Sequence, residues 1–554
     1  MLKKYIPFVG WIKHYKVADL KGDLLAGLIV AIMLIPQGMA YAMLAGLSPV
    51  TGLYAATIPA IVYALFGTSR HLSVGPVALV SILVFSSAST LATPGSNEYL
   101  SLVLLLMLMI GLIQFMLGIF RLGFLVNFIS QPVMSGFISA SAIIIGFSQL
   151  NHLLGINIQS SHLFSIIKEV FNRLSELNWV VFAIGLISTL ILLLFKKYLP
   201  RIPGPLIVVV LGIVIVYFFN LQSLGVKIVG EVPQGLPSIS VPFFTMDSVV
   251  KLLPAALTIS FIGFLESISI GKVIAAKNNY TLEPNKELIG LGLANVIGSF
   301  FSSYPVTGSL SRTAVNDDSG AKTQVSSIFT AIFILLTLIS FTTLFYYLPQ
   351  TILGAIIVVA VFGLIDLKEV KYLFSVKTID GWTWIVTVLA TLIIGIEVGI
   401  IIGVGFSLIV LISSKGKLNL TELGYLRETN RYVNLTQHPE AYIESHISIL
   451  RIDNSLNFAN IALMEKKIKD HIKSHSEINI IILDFSSVNS IDTMAVTALE
   501  NLIYTYDGKV DFYFVKIKRH VREILEKADW EHKFTEYINY LTINQVKNKL
   551  NKNV

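Results

Sequence analysis

Two stretches of this chain have compositions that a helix facing lipid does not tolerate. One is Ser69-Arg70-His71-Leu72-Ser73-Val74-Gly75-Pro76-Val77-Ala78. The other is Pro305-Val306-Thr307-Gly308-Ser309-Leu310-Ser311-Arg312-Thr313-Ala314. In each, an extended run bearing Gly, Pro and Ser leads into a helical run. Irregular backbone at membrane depth survives only where protein or water covers it. A helix starting at that depth presents unpaired N–H groups and the positive end of its dipole to the interior. Two such starts aimed at one point make an anion site without a full buried charge, and Arg312 adds one formal positive charge beside it. The competing reading is a pair of ordinary loops with Pro at a helix start.

Glu266 is the other residue with chemistry in an apolar setting. Ile262-Gly263-Phe264-Leu265 precede it, and Ile268 and Ile270 follow. An acid at membrane depth is costly and marks function by default. Apolar surroundings disfavour its charged form, which suits a proton carrier. A structural salt bridge to Arg312 or Lys272 is the alternative.

These residues need a scaffold, and the composition supplies one. The chain has 554 residues, of which 54% are hydrophobic and 14% charged; soluble domains average about 25% charged. Charges are nearly absent from long stretches before Lys417 and abundant after it, so lipid surrounds the first part and water the last. Clear apolar runs are Leu24–Leu44, Leu102–Ile119, Val180–Phe195, Leu206–Phe219, Leu253–Ile270, Ile328–Tyr346, Ile352–Leu364 and Trp382–Leu411, the last long enough for two spans with a turn near Glu397. Gly52–Gly67, Val74–Ala88, Phe124–Phe147, Ile289–Phe301 and Gly308–Ser319 carry more Gly, Pro and Ser. The total is about fourteen spans. The two interrupted stretches fall third and tenth, which are matching positions if the spans divide into two sevens, as in an inverted repeat.

Basic residues set the orientation. Lys3, Lys4, Lys13, Lys16 and Lys21 place the N-terminus in the cytoplasm, and the loops holding Arg70, Arg121, Lys196–Lys197–Arg201, Lys272–Lys277–Lys286, Lys322 and Lys368–Lys371–Lys377 then fall on the same side, as does Lys415–Lys417. The opposite loops hold chiefly Lys168, Arg173, Lys227 and Lys251. This is the positive-inside pattern, and it accounts for the net charge of +7 without nucleic acid. The first residues read as an interfacial helix anchored by Trp11 and Tyr15; Trp382 and Trp384 read as further anchors. Gly395, Gly399 and Gly403 recur every fourth residue, a pattern for close helix packing. Asp317 and Asp318, at the end of the tenth span, read as a solvated loop.

Several classes are excluded. There are no cysteines, hence no disulfide framework and no thiol chemistry. No G-x-x-x-x-G-K-[ST] run exists for a nucleotide-driven pump. An enzyme would need clustered His, Asp or Glu at membrane depth, and only Glu266 and Glu397 stand there. No metal site and no cofactor is implied.

After Lys417 the periodicity changes. His446–Ile452 alternates as a strand, Ile461–Ile472 has helical spacing, Ile478–Leu483 is a buried strand, Met494–Tyr504 a helix, Val510–Val515 a strand and His520–Lys527 a helix. The expected organisation is an N-terminal segment 1–21, a transport domain 22–416, a linker 417–440 and a small α/β domain 441–554.

The runs Ile35-Pro36-Gln37-Gly38-Met39-Ala40-Tyr41-Ala42 and Thr68-Ser69-Arg70-His71-Leu72-Ser73-Val74-Gly75-Pro76 resemble the SulP anion transporters, the sulfate permeases whose animal relatives include pendrin and prestin. Leu265-Glu266-Ser267-Ile268-Ser269-Ile270-Gly271-Lys272, Asn285-Lys286-Glu287-Leu288 and Gly308–Val315 match the same family. The resemblance extends from about Lys16 to the C-terminus, where Asn457-Phe458-Ala459-Asn460 and Ile481–Ala495 look like a STAS domain. It implies an all-α membrane protein of fourteen spans in a seven-plus-seven inverted repeat, with core and gate domains, a cytoplasmic α/β STAS domain, and a homodimer. Its anion site would be lined by Gln37 and Tyr41 from the first span, Val77 from the third, and Ser309, Leu310, Ser311 and Arg312 from the tenth. Tyr41 follows Gln37 by one helical turn and shares its face. An interhelical hydrogen bond for Gln37 and core packing for Tyr41 are the alternatives.

The resemblance implies secondary active transport of a small anion, sulfate foremost, by an elevator-type movement. Some bicarbonate transporters of the family have Asp at the place of Glu266 and a Thr one turn later that helps hold sodium. Glu266 and Ile270 depart from that pattern and favour protons over sodium. An anion exchanger or channel for bicarbonate, chloride or dicarboxylates, including sodium-coupled bicarbonate uptake, is the alternative. In bacterial anti-anti-sigma relatives of the STAS domain, a Ser or Thr after the Asp is phosphorylated. Thr493 follows Asp492 here, with Met494 where a small residue is usual, so Thr493 is a regulatory site or simply a helix-start residue. A cytoplasmic regulator would bind this domain. The compact tail and absent cysteines fit a bacterial cytoplasmic membrane, with both termini cytoplasmic.

Overall fold

Long uncharged runs in lipid must satisfy their backbone internally, and here they form helices. The structure is a computed structural model describing residues 7–8, 15–124, 130–158, 163–199, 203–242, 245–416 and 418–551. The side chain of Glu397 and the anchor residue Trp11 lie outside the described part.

The first half comprises α1 (Val17–Leu44), α2 (Pro49–Ala55), α3 (Ile58–Phe66), strand β1 (Val74–Gly75), α4 (Ala78–Ala88), α5 (Asn97–Ile119), α6 (Gln131–Ser148), α7 (Leu150–Leu154), α8 (Leu163–Asn172), α9 (Trp179–Tyr198) and α10 (Gly204–Phe218). The second half comprises α11 (Met246–Lys277), α12 (Pro284–Gly298), strand β2 (Thr307–Gly308), α13 (Leu310–Asp318), α14 (Val325–Ser340), α15 (Gln350–Phe362), α16 (Leu367–Val376), α17 (Thr378–Ile393) and α18 (Ile396–Gly416). Among the described residues, seven helices are long and apolar enough to cross a membrane and five shorter ones are apolar. With α12 and α13 they make fourteen traverses, α2 and α3 counting as one. Of the short helices, α7 is counted with α6 and α16 with α15, and α8 lies between traverses. Gly395, with φ of +130°, makes the turn between α17 and α18.

Small residues let the traverses approach. A Cβ on Gly292 of α12 would lie 2.6 Å from the backbone nitrogen of Phe115 on α5, and one on Gly111 of α5 would lie 2.5 Å from that of Val296. A Cβ on Gly52 of α2 would stand 1.9 Å from the carbonyl oxygen of Gly38 on α1. Gly399 and Gly403 fit against Thr391 and Thr387 of α17, so two of the three regularly spaced glycines pack helices and the third turns the chain. By packing, α1 to α5 and α11 to α14 form one group, the core, and α6, α9, α10, α15 and α17 a second, the gate. Trp382 is exposed, and Trp384 is half-buried with its indole nitrogen buried.

The chain divides into two compact units at Ser407 and Leu408, inside α18. The second unit holds β3 (Leu420–Leu426), β4 (Arg431–Asn434), β5 (Ile447–Ile452), α19 (Ile461–Ser474), β6 (Ile480–Asp484), α20 (Thr493–Thr505), β7 (Asp511–Val515), α21 (Arg519–Lys527), α22 (Trp530–Lys533), α23 (Thr535–Ile538) and α24 (Ile543–Leu550). Its sheet has the order β4-β3-β5-β6-β7, with β5, β6 and β7 parallel and β3 antiparallel to both β4 and β5. The expected linker 417–440 is corrected here: most of it is the hairpin β3–β4, registered Leu420↔Ile452 against β5. The edge strand β4 is short and polar, so cross-strand pairing rather than alternation reveals the hairpin. Leu450, Leu483 and Phe514 meet α19, α20 and α21 on one face, while Ile449, Ile482 and Tyr513 meet α24 on the other.

Candidate anion site

The two interrupted stretches meet. β1 and β2 pair antiparallel, with Val74 opposite Gly308 and Gly75 opposite Thr307. Each strand runs directly into a helix: Val77 precedes α4 with φ −137° and Ser309 precedes α13 with φ −118°. Neither helix start has a side-chain cap. The first-turn N–H groups of both helices are therefore left for another partner, at the positive ends of two dipoles brought together by one pair of strands.

Arg312, on the first turn of α13, is fully buried. Its Nη1 donates to the carbonyl oxygen of Pro76 at 2.7 Å, while its Nε and Nη2 have no hydrogen-bond partner among the described residues. A buried guanidinium with unused donors is costly unless something accepts from it. Tyr41, Tyr304 and Glu266 are electrostatic neighbours of Arg312. Gln37, Tyr41, Val77 and Ser309 are all buried, and the Oε1 of Gln37 has no hydrogen-bond partner among the described residues. Leu310 and Ser311 are exposed; Ser311 Oγ lies 3.4 Å from Ser309 Oγ. The buried Oε2 of Glu266 has no hydrogen-bond partner among the described residues, Arg312 closes no ion pair with it, and Lys272 is exposed.

The frame around this point is polar and largely went unread in the sequence. Ser267, one residue after Glu266, accepts from the Gly308 N–H at 2.9 Å, and its Oγ lies 2.7 Å from Thr307 Oγ1. Asn295 of α12 accepts from the Val306 N–H at 2.9 Å and donates to the Val306 carbonyl at 3.2 Å. On the other arm, the Ser73 N–H donates to Thr313 Oγ1 at 3.0 Å, and the Ser309 N–H donates to the Ser73 carbonyl at 3.1 Å. Gln324 donates to the carbonyls of Ser69 and Leu72 at 2.9 and 3.0 Å. Single Ser, Thr and Asn residues in apolar runs give no periodic signal, and only the meeting of the two arms shows their use.

Glu287 is the largest omission. Glu266 and Glu397 were expected to be the acids at membrane depth, yet Glu287 is buried as well. It accepts from Tyr63 Oη at 2.7 Å, from the Thr68 N–H at 2.6 Å, from the Ser69 N–H at 2.8 Å and from Thr68 Oγ1. These donors fix the loop that leads into β1. Its place in the run Asn285–Leu288 was the available signal. Asp23 is buried too, accepting from the N–H groups of Lys322 and Thr323 at 2.6 and 3.1 Å. Asp317 is not solvated as expected: its side chain pairs with Lys277 at 2.7 Å and accepts from Asn278 at 2.8 Å. Asp318 is exposed.

In the second unit Thr493 is the exposed first residue of α20. Asp492 is the cap, accepting from the Ala495 N–H at 2.9 Å and the Phe458 N–H at 2.7 Å.

Fourteen traverses, two of them broken and joined strand to strand at a buried arginine, make a multi-pass membrane protein. The chain belongs to the sulfate permease family, which matches residues 20–387, and a STAS domain matches residues 438–548. It is 42% identical to sulfate transporter 4.1, chloroplastic, of Arabidopsis thaliana, over 90% of this chain and 76% of that protein. It is 34% identical to sulfate transporter 1.2 of the same plant, over 90% and 80%. The solved structure of murine Solute Carrier 26 family member A9, an anion transporter, in the inward-facing state superposes with TM-score 0.92 at 27% identity, covering 98% of this chain and 94% of that one. The transmembrane domain of a cyanobacterium bicarbonate transporter shares the fold, with TM-score 0.63 at 24% identity over 71% of this chain and 99% of that one.

Proposed function

We propose that the protein carries sulfate as a proton-coupled symporter, by an elevator-type movement of the core against the gate. The observation that carries this reading is the pairing of Val74 with Gly308, which sets two uncapped helix starts beside the partly unpaired Arg312. Tetrahedral oxyanions accept from N–H groups in several directions at once, which suits two helix starts and a guanidinium. The names of the plant relatives support sulfate. Gln37, Tyr41, Val77, Ser309, Leu310, Ser311 and Arg312 line the site in this reading, and Glu266 carries the proton. The unpaired Oε2 of Glu266 and the apolar Ile270 one turn on support protons over sodium. The even number of traverses supports a common side for both termini, and the basic residues of the loops support the cytoplasmic one. A homodimer, and a STAS domain that meets a cytoplasmic regulator near the exposed Thr493, complete the proposal.

The test is uptake of labelled sulfate into proteoliposomes with and without an inward proton gradient, with bicarbonate, chloride and dicarboxylates as competitors. Saturable uptake that the gradient accelerates and that sulfate competes best supports the reading. Uptake that ignores the gradient and requires a counter-anion makes the protein an exchanger; non-saturating flux makes it a channel.

A further inference from the structure

Where α9 and α15 end, lysines without carboxylate partners among the described residues stand among exposed apolar side chains. Lys196 and Lys197 end α9, and Lys368 and Lys371 lie on the exposed face of α16. One contact and the continuity of the chain link these elements. A Cβ built on Gly363 would lie 2.5 Å from Lys196 Nζ, so the ammonium rests against the carbonyl end of α15, a favourable place for a cation. Three residues later Asp366 starts α16.

The local carboxylates are already engaged. Asp366 accepts from the N–H groups of Lys368 and Glu369 at 2.9 and 3.1 Å. Glu369 accepts from Gln131 at 2.9 Å and Ser135 at 2.6 Å. Lys377 has Asp380 at 4.0 Å, whereas Lys196, Lys197, Lys368 and Lys371 form no ion pair among the described residues. Around them Tyr198 is 65% exposed, Leu367 73% and Tyr372 63%. Both α9 and α15 are apolar traverses that end here, so this corner stands at a bilayer edge, where aromatic rings and lysine heads meet headgroups.

We propose that this corner binds the phosphodiester headgroup of an anionic phospholipid from the surrounding bilayer. Four cationic heads at the rim of an apolar belt match a ligand with an anionic head and acyl tails. A soluble phosphate would use the heads and leave Leu367 and Tyr372 in water.

The test is native mass spectrometry of the full chain released from detergent with equimolar phosphatidylglycerol and phosphatidylcholine. Phosphatidylglycerol is retained preferentially by the unaltered protein. The preference falls by about fivefold or more when Lys196, Lys197, Lys368 and Lys371 are changed to Gln, and survives when all are changed to Arg. The single variant Lys371→Gln falls part of the way. Equal retention of the two lipids by the unaltered protein overturns the proposal, as does a Gln variant that keeps the preference. Full displacement of phosphatidylglycerol by glycerol 3-phosphate also overturns it, because the ligand is then a soluble phosphate.

Discussion

Arg312 reaches across the repeat: its Nη1 donates to the carbonyl oxygen of Pro76, 2.7 Å away, on the strand-to-helix turn of the other half. The bond orients the guanidinium from outside its own helix. It leaves Nε and Nη2 as buried donors between two helix starts.

Replacing Arg312 with Ala should raise the half-saturating sulfate concentration roughly ten- to a hundredfold, the equivalent of about 1.5–3 kcal/mol for hydrogen bonds to a charged group. Lys cannot hold Pro76 and face the site together, so Arg312→Lys should recover only part of the loss. Concentration-dependent uptake into proteoliposomes measures both. An unchanged half-saturation in Arg312→Ala would remove Arg312 from the site.

Glu266→Gln keeps the shape of the side chain and removes the titrating proton. Sulfate–sulfate exchange should persist while acceleration by an inward proton gradient disappears. Exchange and gradient-driven uptake in the same vesicle preparation separate the two. A variant that responds to the gradient as the parent does would show that the proton travels by another group.

Glu287→Gln turns one acceptor oxygen into a donor that must face donors already in place. Losing a hydrogen bond to a buried charge costs about 1.5–3 kcal/mol. The variant should melt at lower temperature. Because the Thr68 and Ser69 N–H groups lead into β1, the surviving protein should also bind sulfate more weakly. Thermal melting of the detergent-solubilised protein and sulfate titration report the two effects, and parental behaviour in both would refute the anchoring role.

Gly52→Ala places a methyl group 1.9 Å from the Gly38 carbonyl oxygen, where backbone meets backbone. Overpacking of this kind costs about 1–3 kcal/mol, and more where neither helix can shift. Monodisperse yield after solubilisation should fall sharply, whereas Gly405→Ala, with open space around it, should match the parent. Equal yields would mean that α1 and α2 separate freely.

His471 in the second unit lies 2.9 Å from Ser448 Oγ. Burial holds its imidazole below the ordinary histidine range; Glu422 opposes the shift and His475 adds to it. The unfolded chain takes up this proton near pH 6.5, and the folded chain only at lower pH. The stability of the unit is therefore unaffected above about pH 6.5 and declines as pH falls below it. Hydrogen exchange over residues 447–484 of the full chain, corrected for intrinsic rates, should show faster opening at about pH 5.5 than at about pH 7.5. His471→Gln should flatten that dependence, and a slope unaltered by the substitution would assign it elsewhere.

The number and order of the traverses were legible in the residues, because a bilayer leaves an uncharged run of about twenty residues one economical conformation. The breaks at Gly75 and Gly308 were legible for the same reason in reverse, as compositions lipid does not accept. So were Glu266 and Arg312, as charges in apolar runs. What the sequence did not reveal was set by contacts between distant segments. Glu287 and Thr68 are 219 positions apart, and Lys322 and Asp23 are 299. Their meeting depends on how the two halves pack, which no local period encodes. The hairpin β3–β4, expected as a linker, is a strand pair only because β5 offers an edge for it. Local chemistry determined which residues could hold an anion, and only tertiary packing decided which carbonyls, hydroxyls and carboxylates hold those residues in place.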